Sequence, residues 1–190
     1  MSHDRLWAPW RLDYVTGAEA TEGPAAPPEP TAWQAGADPK CFLCRAAATY
    51  DQAAVDRQLL VAARGRESMV VLNRYPYNNG HLMVAPRRHV AQLVEMTRDE
   101  HLECMDWIGR LTHVLGELLK AEGFNIGLNL NRVAGAGCPG HLHWHIVPRW
   151  NGDSNFMSVL AGTRVIPQSL DALWELLTEK LRAETRPQGS

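Results

Sequence analysis

Three histidines alternate with apolar residues in the stretch Gly140-His141-Leu142-His143-Trp144-His145-Ile146-Val147-Pro148. Side chains alternate faces along a strand with period two. His141, His143 and His145 are therefore expected on one face, with Leu142, Trp144 and Ile146 on the other. Near neutral pH, imidazole is the side chain best suited to act as nucleophile, base, acid or metal ligand. Several on one face can divide those roles. The plainer alternative is an amphipathic strand whose polar face happens to be histidine. Strict alternation behind a glycine-containing loop argues against it.

A second group with chemical potential is Cys41-Phe42-Leu43-Cys44. In a reducing compartment this spacing favours a metal site or a redox pair over a structural disulfide. Cys104 falls within a helical pattern and reads as a small buried hydrophobe. Cys138 lies just before the histidine strand, and its role stays open.

The elements that must position these groups follow from periodicity and punctuation. A short helix is expected around residues 45 to 51, and strands are expected at 59 to 63, 68 to 72 and 81 to 86. The turn Arg64-Gly65-Arg66 joins the first two, and Pro76 with Asn79-Gly80 marks the loop before the third. Thr97-Arg98-Asp99-Glu100 is a capping box that opens the longest helix, running to about Glu122 and stopped by Gly123. Its apolar stripe is Leu102, Met105, Ile108, Leu111, Leu115, Leu118 and Leu119, with His101 and His113 on the solvated flank. Residues 124 to 130 form the next strand, followed by the loop 131 to 140 and the histidine strand. Ser169 caps a final helix whose stripe is Leu170, Leu173, Trp174, Leu177 and Leu181. Strands in hairpin-like succession with one long helix inserted, and a C-terminal helix, give an α+β fold with an antiparallel sheet.

A chain of 190 residues, 45% hydrophobic, can bury one good core but hardly two. The expected organisation is an aromatic segment over residues 1–15 docking on the body, a flexible Ala/Pro-rich insertion over 16–40, and a single domain over 41–185. The segment from Arg5 to Val15, RLWAPWRLDYV, could alternatively serve as a partner-binding tag. A net charge of −2 argues against a protein that coats nucleic acid. No apolar run approaches the roughly 20 residues needed to span a bilayer, so no membrane partner is expected. The polar N-terminus lacks a signal-peptide core, so a cytoplasmic location is expected.

The run from His141 to Val147 resembles the signature of the histidine-triad (HIT) family and matches it at every position. The block Leu72-Asn73-Arg74-Tyr75-Pro76-Tyr77-Asn78-Asn79-Gly80-His81-Leu82-Met83-Val84-Ala85-Pro86 resembles the family's second signature. The resemblance implies a HIT-like fold, a homodimer, and an enzyme, either nucleotidyltransferase or hydrolase. It implies His143 as nucleophile, His145 as the contact to phosphate oxygens and leaving group, and His141 as a support or zinc ligand. It further implies nucleotide contacts at Asn73, Asn129 and the loop residues Gly137 and Cys138. Asn129 could instead be a turn residue bonding its own backbone. Relatives often carry a hydroxyl or amide donor where this chain has Cys138 and Pro139. Trp150 could stack on a base or pack on the sheet.

Zinc-containing branches of the superfamily use two cysteines, a histidine after the proline strand and the first histidine of the motif. Here those positions are Cys41, Cys44, His89 and His141, a set suited to a closed, structural tetrahedral zinc site. His81 receives no chemistry. The flanks of the motifs resemble the branch that phosphorolyses diadenosine tetraphosphate to ADP and ATP, with a dinucleoside polyphosphate and inorganic phosphate as substrates. Arg74, Arg149 and Asn155 are candidates for the acceptor-phosphate site. The alternatives are hydrolysis of other nucleotides, such as phosphoramidates, or a non-catalytic nucleotide-binding interaction protein.

Overall fold

The computed structural model describes residues 27–51, 54–153 and 169–185. The aromatic segment 1–15, the first part of the Ala/Pro-rich stretch and Asn155 lie outside those residues. Five strands form one sheet in the order β1-β2-β3-β5-β4, every neighbouring pair antiparallel. They are β1 (Val61–Arg64), β2 (Ser68–Leu72), β3 (Leu82–Pro86), β4 (Gly123–Leu128) and β5 (Trp144–Arg149). Among the described residues, four helices accompany them: α1 (Phe42–Ala47), α2 (Val55–Gln58), α3 (Arg98–Leu119) and α4 (Leu170–Thr185). The fold is α+β, as expected.

Helix α3 begins with the capping box read from the sequence. The Thr97 side chain accepts from the Glu100 amide, and the Glu100 carboxylate accepts from the Thr97 amide at 2.7 Å. Glu100 is buried and also holds Arg88 through two bonds of 2.7 Å, which ties the start of α3 to the chain leaving β3. The buried stripe is Cys104, Ile108, Leu111, Val114 and Leu115, packed over β2, β3 and β5. Leu102 and Met105, expected in that stripe, are 52% and 43% exposed. Helical spacing identifies an apolar face, but what the sheet covers sets its centre, here one line of residues further round. The helix also ends earlier than expected. Lys120 takes the left-handed conformation, and Glu122 then donates its amide to the Arg149 carbonyl at 2.9 Å, so Gly123 opens β4.

Helix α4 follows its predicted pattern. Ser169 accepts the Ala172 amide at its hydroxyl, 3.2 Å, and Leu173, Leu177 and Leu181 are buried. The short helix near the cysteines starts at Phe42, earlier than the expected Arg45. Thr49 leaves helical geometry to bridge Ala32, exchanging backbone bonds with Thr31 and Ala32. Within residues 27–40, Trp33 packs on the core beneath the Arg45 guanidinium, 5.6 Å from the ring centre.

Candidate active site

β5 lies inside the sheet, between β3 and β4, and this placement organises the site. Met83 and Gly127 face His145 across the two ladders, and Val71 faces Met83 one strand further on. Val71, Met83 and His145 thus form one row across the sheet, and all three line a cavity of about 860 Å³. The paired ladder of β5 starts only at Trp144. His143 keeps the expected alternation and joins His145 in the cavity wall, the two ring centres 4.9 Å apart. His141 does not join that row, a correction to the three-histidine face expected from the sequence. Its ring turns into the protein, toward the cysteines. The Leu142 amide bonds the Val90 carbonyl at 2.7 Å in place of a ladder partner.

The hydrogen bonds assign the tautomers of the cavity histidines. His143 Nδ1–H donates to the His141 carbonyl at 2.8 Å, which leaves the Nε2 lone pair available. Burial lowers the His143 pKa, with the only slight exposure of 6% keeping the ring neutral and nucleophilic. Behind His145 stands His81, for which no chemistry is expected from the sequence. The Tyr77 amide donates to His81 Nδ1 at 3.0 Å. The other nitrogen, Nε2–H, then donates to His145 Nδ1 at 2.9 Å. His145 in consequence carries its proton on Nε2, as a donor. Tyr77 stacks on His81 with ring centres 4.7 Å apart and fixes its plane. The Asn73 amide nitrogen, 3.4 Å from His81 Nε2, is too distant to compete with the shorter bond. The one clue in the sequence was the placement of His81 at the start of β3, next to the future position of β5.

Asn73 and Gly137 line the cavity, together with Pro139 and the loop residues Gly135 and Ala136. The Asn73 side-chain oxygen Oδ1 accepts from the Tyr75 amide at 2.9 Å. Other sequence-predicted residues lie elsewhere. Asn129 is half-buried just beyond β4, outside the cavity lining. The Cys138 thiol turns away from the cavity and approaches Cys41 Sγ at 3.5 Å. Trp150 is also outside the lining, and its indole N–H donates to the Leu119 carbonyl at 3.2 Å, at the end of α3. Arg74 lines the cavity, whereas Arg149 is held by Asp153 at 2.8 Å and by the Asn125 side-chain oxygen at 2.8 Å.

Cys41, Cys44, His89 and His141 converge, their ligand atoms all within 4.8 Å of one another. His141 Nδ1 lies 3.5 Å from both Cys41 Sγ and Cys44 Sγ, and His89 Nδ1 lies 3.1 Å from Cys44 Sγ. A tetrahedral zinc site with bonds of about 2.0–2.3 Å has edges of about 3.3–3.8 Å. The cluster therefore fits a tetrahedral ion with small adjustments. His141 Nε2–H donates to the Pro86 carbonyl at 2.9 Å, the outer bond that points the bare nitrogen of a ligating histidine inward. The Asp38 amide donates to Cys44 Sγ at 3.4 Å. A β-carbon on Gly140 would come within 3.1 Å of His89 Nε2, so the glycine makes room for that ring. The thiols are at odds without a cation. The bond from Cys138 holds Cys41 down to about 3, while burial pushes Cys44 up to about 12 and Cys138 also rises, chiefly through its bond to Cys41. A dication between the ligands would relieve that conflict.

His143 and His145 thus stand in the cavity wall at a strand held inside the sheet, between β3 and β4. The HIT domain description matches residues 60–152, and the chain belongs to the HIT family. It is 39% identical over 166 residues to a protein named AP-4-A phosphorylase from Mycobacterium tuberculosis, covering 87% of this chain and 78% of that relative. Among solved structures it resembles a hypothetical histidine triad nucleotide-binding protein of Sulfolobus tokodaii, with a TM-score of 0.56 and 24% identity over 73% of this chain and 95% of that one. It also resembles a zinc-bound histidine triad family protein from Mycobacterium smegmatis, with a TM-score of 0.54 and 23% identity over 66% and 85% of the two chains. At those identities the two structures establish the fold. No helix among the described residues is long and apolar enough to cross a membrane.

Proposed function

We propose that this protein is a HIT nucleotidyltransferase that cleaves dinucleoside polyphosphates, and that its reaction is phosphorolysis of diadenosine tetraphosphate to ADP and ATP. The observation that carries the reading is the pairing of complementary tautomers in one cavity. His143 presents a bare Nε2, because Nδ1–H is bound to the His141 carbonyl. His145 presents Nε2–H, because Nδ1 accepts from His81. One is a nucleophile and the other a hydrogen-bond donor to the phosphate oxygens, a division suited to phosphoryl transfer. The 39% identity to a relative named AP-4-A phosphorylase supports the choice of substrate.

In this reading the His143 Nε2 forms a bond to the phosphorus next to one adenosine, and the bond from that phosphorus to the bridging oxygen breaks. ATP leaves as its anion, the departing oxygen held by a hydrogen bond from His145 Nε2–H, and the adenylyl group stays on His143, whose imidazole carries the positive charge. Inorganic phosphate then attacks the same phosphorus, forms ADP and regenerates the free imidazole. Asn73 and the backbone of the loop from Gly135 to Gly137 border the substrate, the glycines allowing close approach of main-chain amides. Cys41, Cys44, His89 and His141 would hold a structural zinc ion, whose contribution is to fix the loop and the nucleophile strand. β4 is an edge strand with Ile126 45% exposed. An open apolar edge of this kind supports pairing with a second copy, as a homodimer.

Incubation of the pure protein with diadenosine tetraphosphate, with and without inorganic phosphate, tests the reaction. ADP and ATP forming only with phosphate is the expected result. AMP and ATP forming regardless of phosphate would replace phosphorolysis by hydrolysis through the same intermediate. No products would refute the assignment of substrate.

A further inference from the structure

The cavity wall carries more positive charge than the reacting phosphorus needs. Among the described residues, three guanidinium groups line it, Arg45, Arg74 and Arg132, and no aspartate or glutamate does. The whole chain has a net charge of −2, so this wall is a local concentration of cations. Their engagement differs. Arg45 stacks on Trp33 and lies 3.6 Å from the exposed Glu29. Arg74 is tethered by one nitrogen to the Gln58 carbonyl at 3.0 Å. Arg132 makes no ion pair or side-chain hydrogen bond with any described residue, and it is exposed. It opens the 3-10 turn Arg132–Ala134, held between Asn131 at φ 65° and Gly135 at φ 87°. That turn runs directly into the loop bordering His143 and His145.

We propose that Arg132, with Arg45 and Arg74 in the same cavity wall, binds the phosphates beyond the one that reacts, so that the site selects its substrates by the length of the polyphosphate chain. The inference rests on the polyphosphate reading above and goes further by assigning the remaining phosphates a site. The imidazoles and loop amides serve one phosphorus. A tetraphosphate brings three more, each anionic. Guanidinium groups bind such oxygens in planar, paired fashion, and an unpartnered one at a cavity wall has no competing ion pair to break. At about 860 Å³ the cavity is near the upper end for ligand sites, roughly 300–1,000 Å³, which leaves room for an extended chain.

Calorimetric titration with inorganic tripolyphosphate and with AMP, at fixed ionic strength, tests this on wild type, Arg132→Lys, Arg132→Ala and Arg132→Glu. Removing one charge-assisted contact predicts about a tenfold loss of tripolyphosphate affinity in the alanine variant. The glutamate variant should lose more and the lysine variant less, and AMP affinity should change far less than tripolyphosphate affinity in all three. Arg45→Ala and Arg74→Ala should each show smaller losses. Tripolyphosphate affinity within twofold of wild type in both the alanine and glutamate variants would overturn the proposal, as would absence of binding to wild type. An equal loss for AMP would also overturn it, because Arg132 would then act by shaping the loop. Arg132-dependent tripolyphosphate binding in a protein that fails to cleave diadenosine tetraphosphate would support this site and sink only the catalytic reading.

Discussion

Replacing His81 by phenylalanine isolates its role behind His145. Phenylalanine retains the ring that stacks on Tyr77 at 4.7 Å, and it retains most of the buried volume. It removes both ring nitrogens, and with them the 3.0 Å bond from the Tyr77 amide and the 2.9 Å bond to His145. An unsatisfied buried polar group costs about 1–3 kcal/mol. His145 can turn partly to solvent, so we expect a stability loss of that order from the Tyr77 amide alone. The kinetic loss is separate. Without its donor, His145 is free to hold its proton on either nitrogen and to rotate, so Nε2–H is correctly presented to the phosphate only part of the time. Loss of an outer partner of this kind typically lowers activity about 10–100-fold. The decrease is expected in kcat, with KM for diadenosine tetraphosphate little changed, because His81 itself touches no substrate. His81→Gln can supply a donor to His145 and should recover part of kcat. Steady-state kinetics beside denaturant melts separate the two effects. A phenylalanine variant that is folded and within twofold of wild-type kcat would refute the orienting chain.

Three other expectations follow from the same geometry. His143→Ala should reduce turnover by about 10³-fold or more while nucleotide affinity, measured by calorimetry, stays within a few fold; full activity would end the covalent reading. Wild type is expected to carry roughly one zinc per chain, and Cys41→Ser to lose it, with a lower melting temperature. Metal analysis showing wild type free of zinc would dismiss the four-ligand set. Glu100→Gln breaks the Arg88 pair and should cost about 1–3 kcal/mol at pH 7, the exposure of Arg88 limiting the effect. Burial alone would raise the Glu100 pKa, but the Arg88 bonds and the Thr97 amide outweigh it and hold the carboxyl below its ordinary 4.5. Its stabilisation is therefore fully present above about pH 4.5 and is lost as pH falls through the lowered value. Melts from pH 7 to pH 3 should show a shallower acid decline in the glutamine variant than in wild type.

What could be read from the sequence was what depends on neighbours along the chain. Thr97 and Glu100 are three residues apart, so their reciprocal cap needs no knowledge of the sheet. Leu173, Leu177 and Leu181 recur at one helical turn, and they are buried. The antiparallel strands followed from short apolar runs and turn residues. Long-range pairing was out of reach. His81 and His145 are 64 positions apart and meet only because β3 and β5 are neighbours, a topology that no local period encodes. The same limit applies to Leu102 and Met105: their spacing fits a core face, yet the sheet covers Cys104, Ile108 and Leu111 instead. Cys138 shares a loop with residues of the cavity wall, but the turn at Pro139 and Gly140 sends its thiol toward Cys41. The start of β5 was missed because alternation continues through His143 even where the ladder does not.

His141 has two duties that fall on different parts of the same residue. Its ring belongs to the cysteine cluster, and its carbonyl oxygen holds the proton of the nucleophile. Any movement of the ring therefore travels through a single Cα to the atom that decides which face of His143 is bare. A chelator stripping an ion from that cluster would act as an inhibitor without ever entering the cavity. The inhibition would be noncompetitive with nucleotide and would recover on adding back any cation that restores the tetrahedron, whether or not that cation has chemistry of its own.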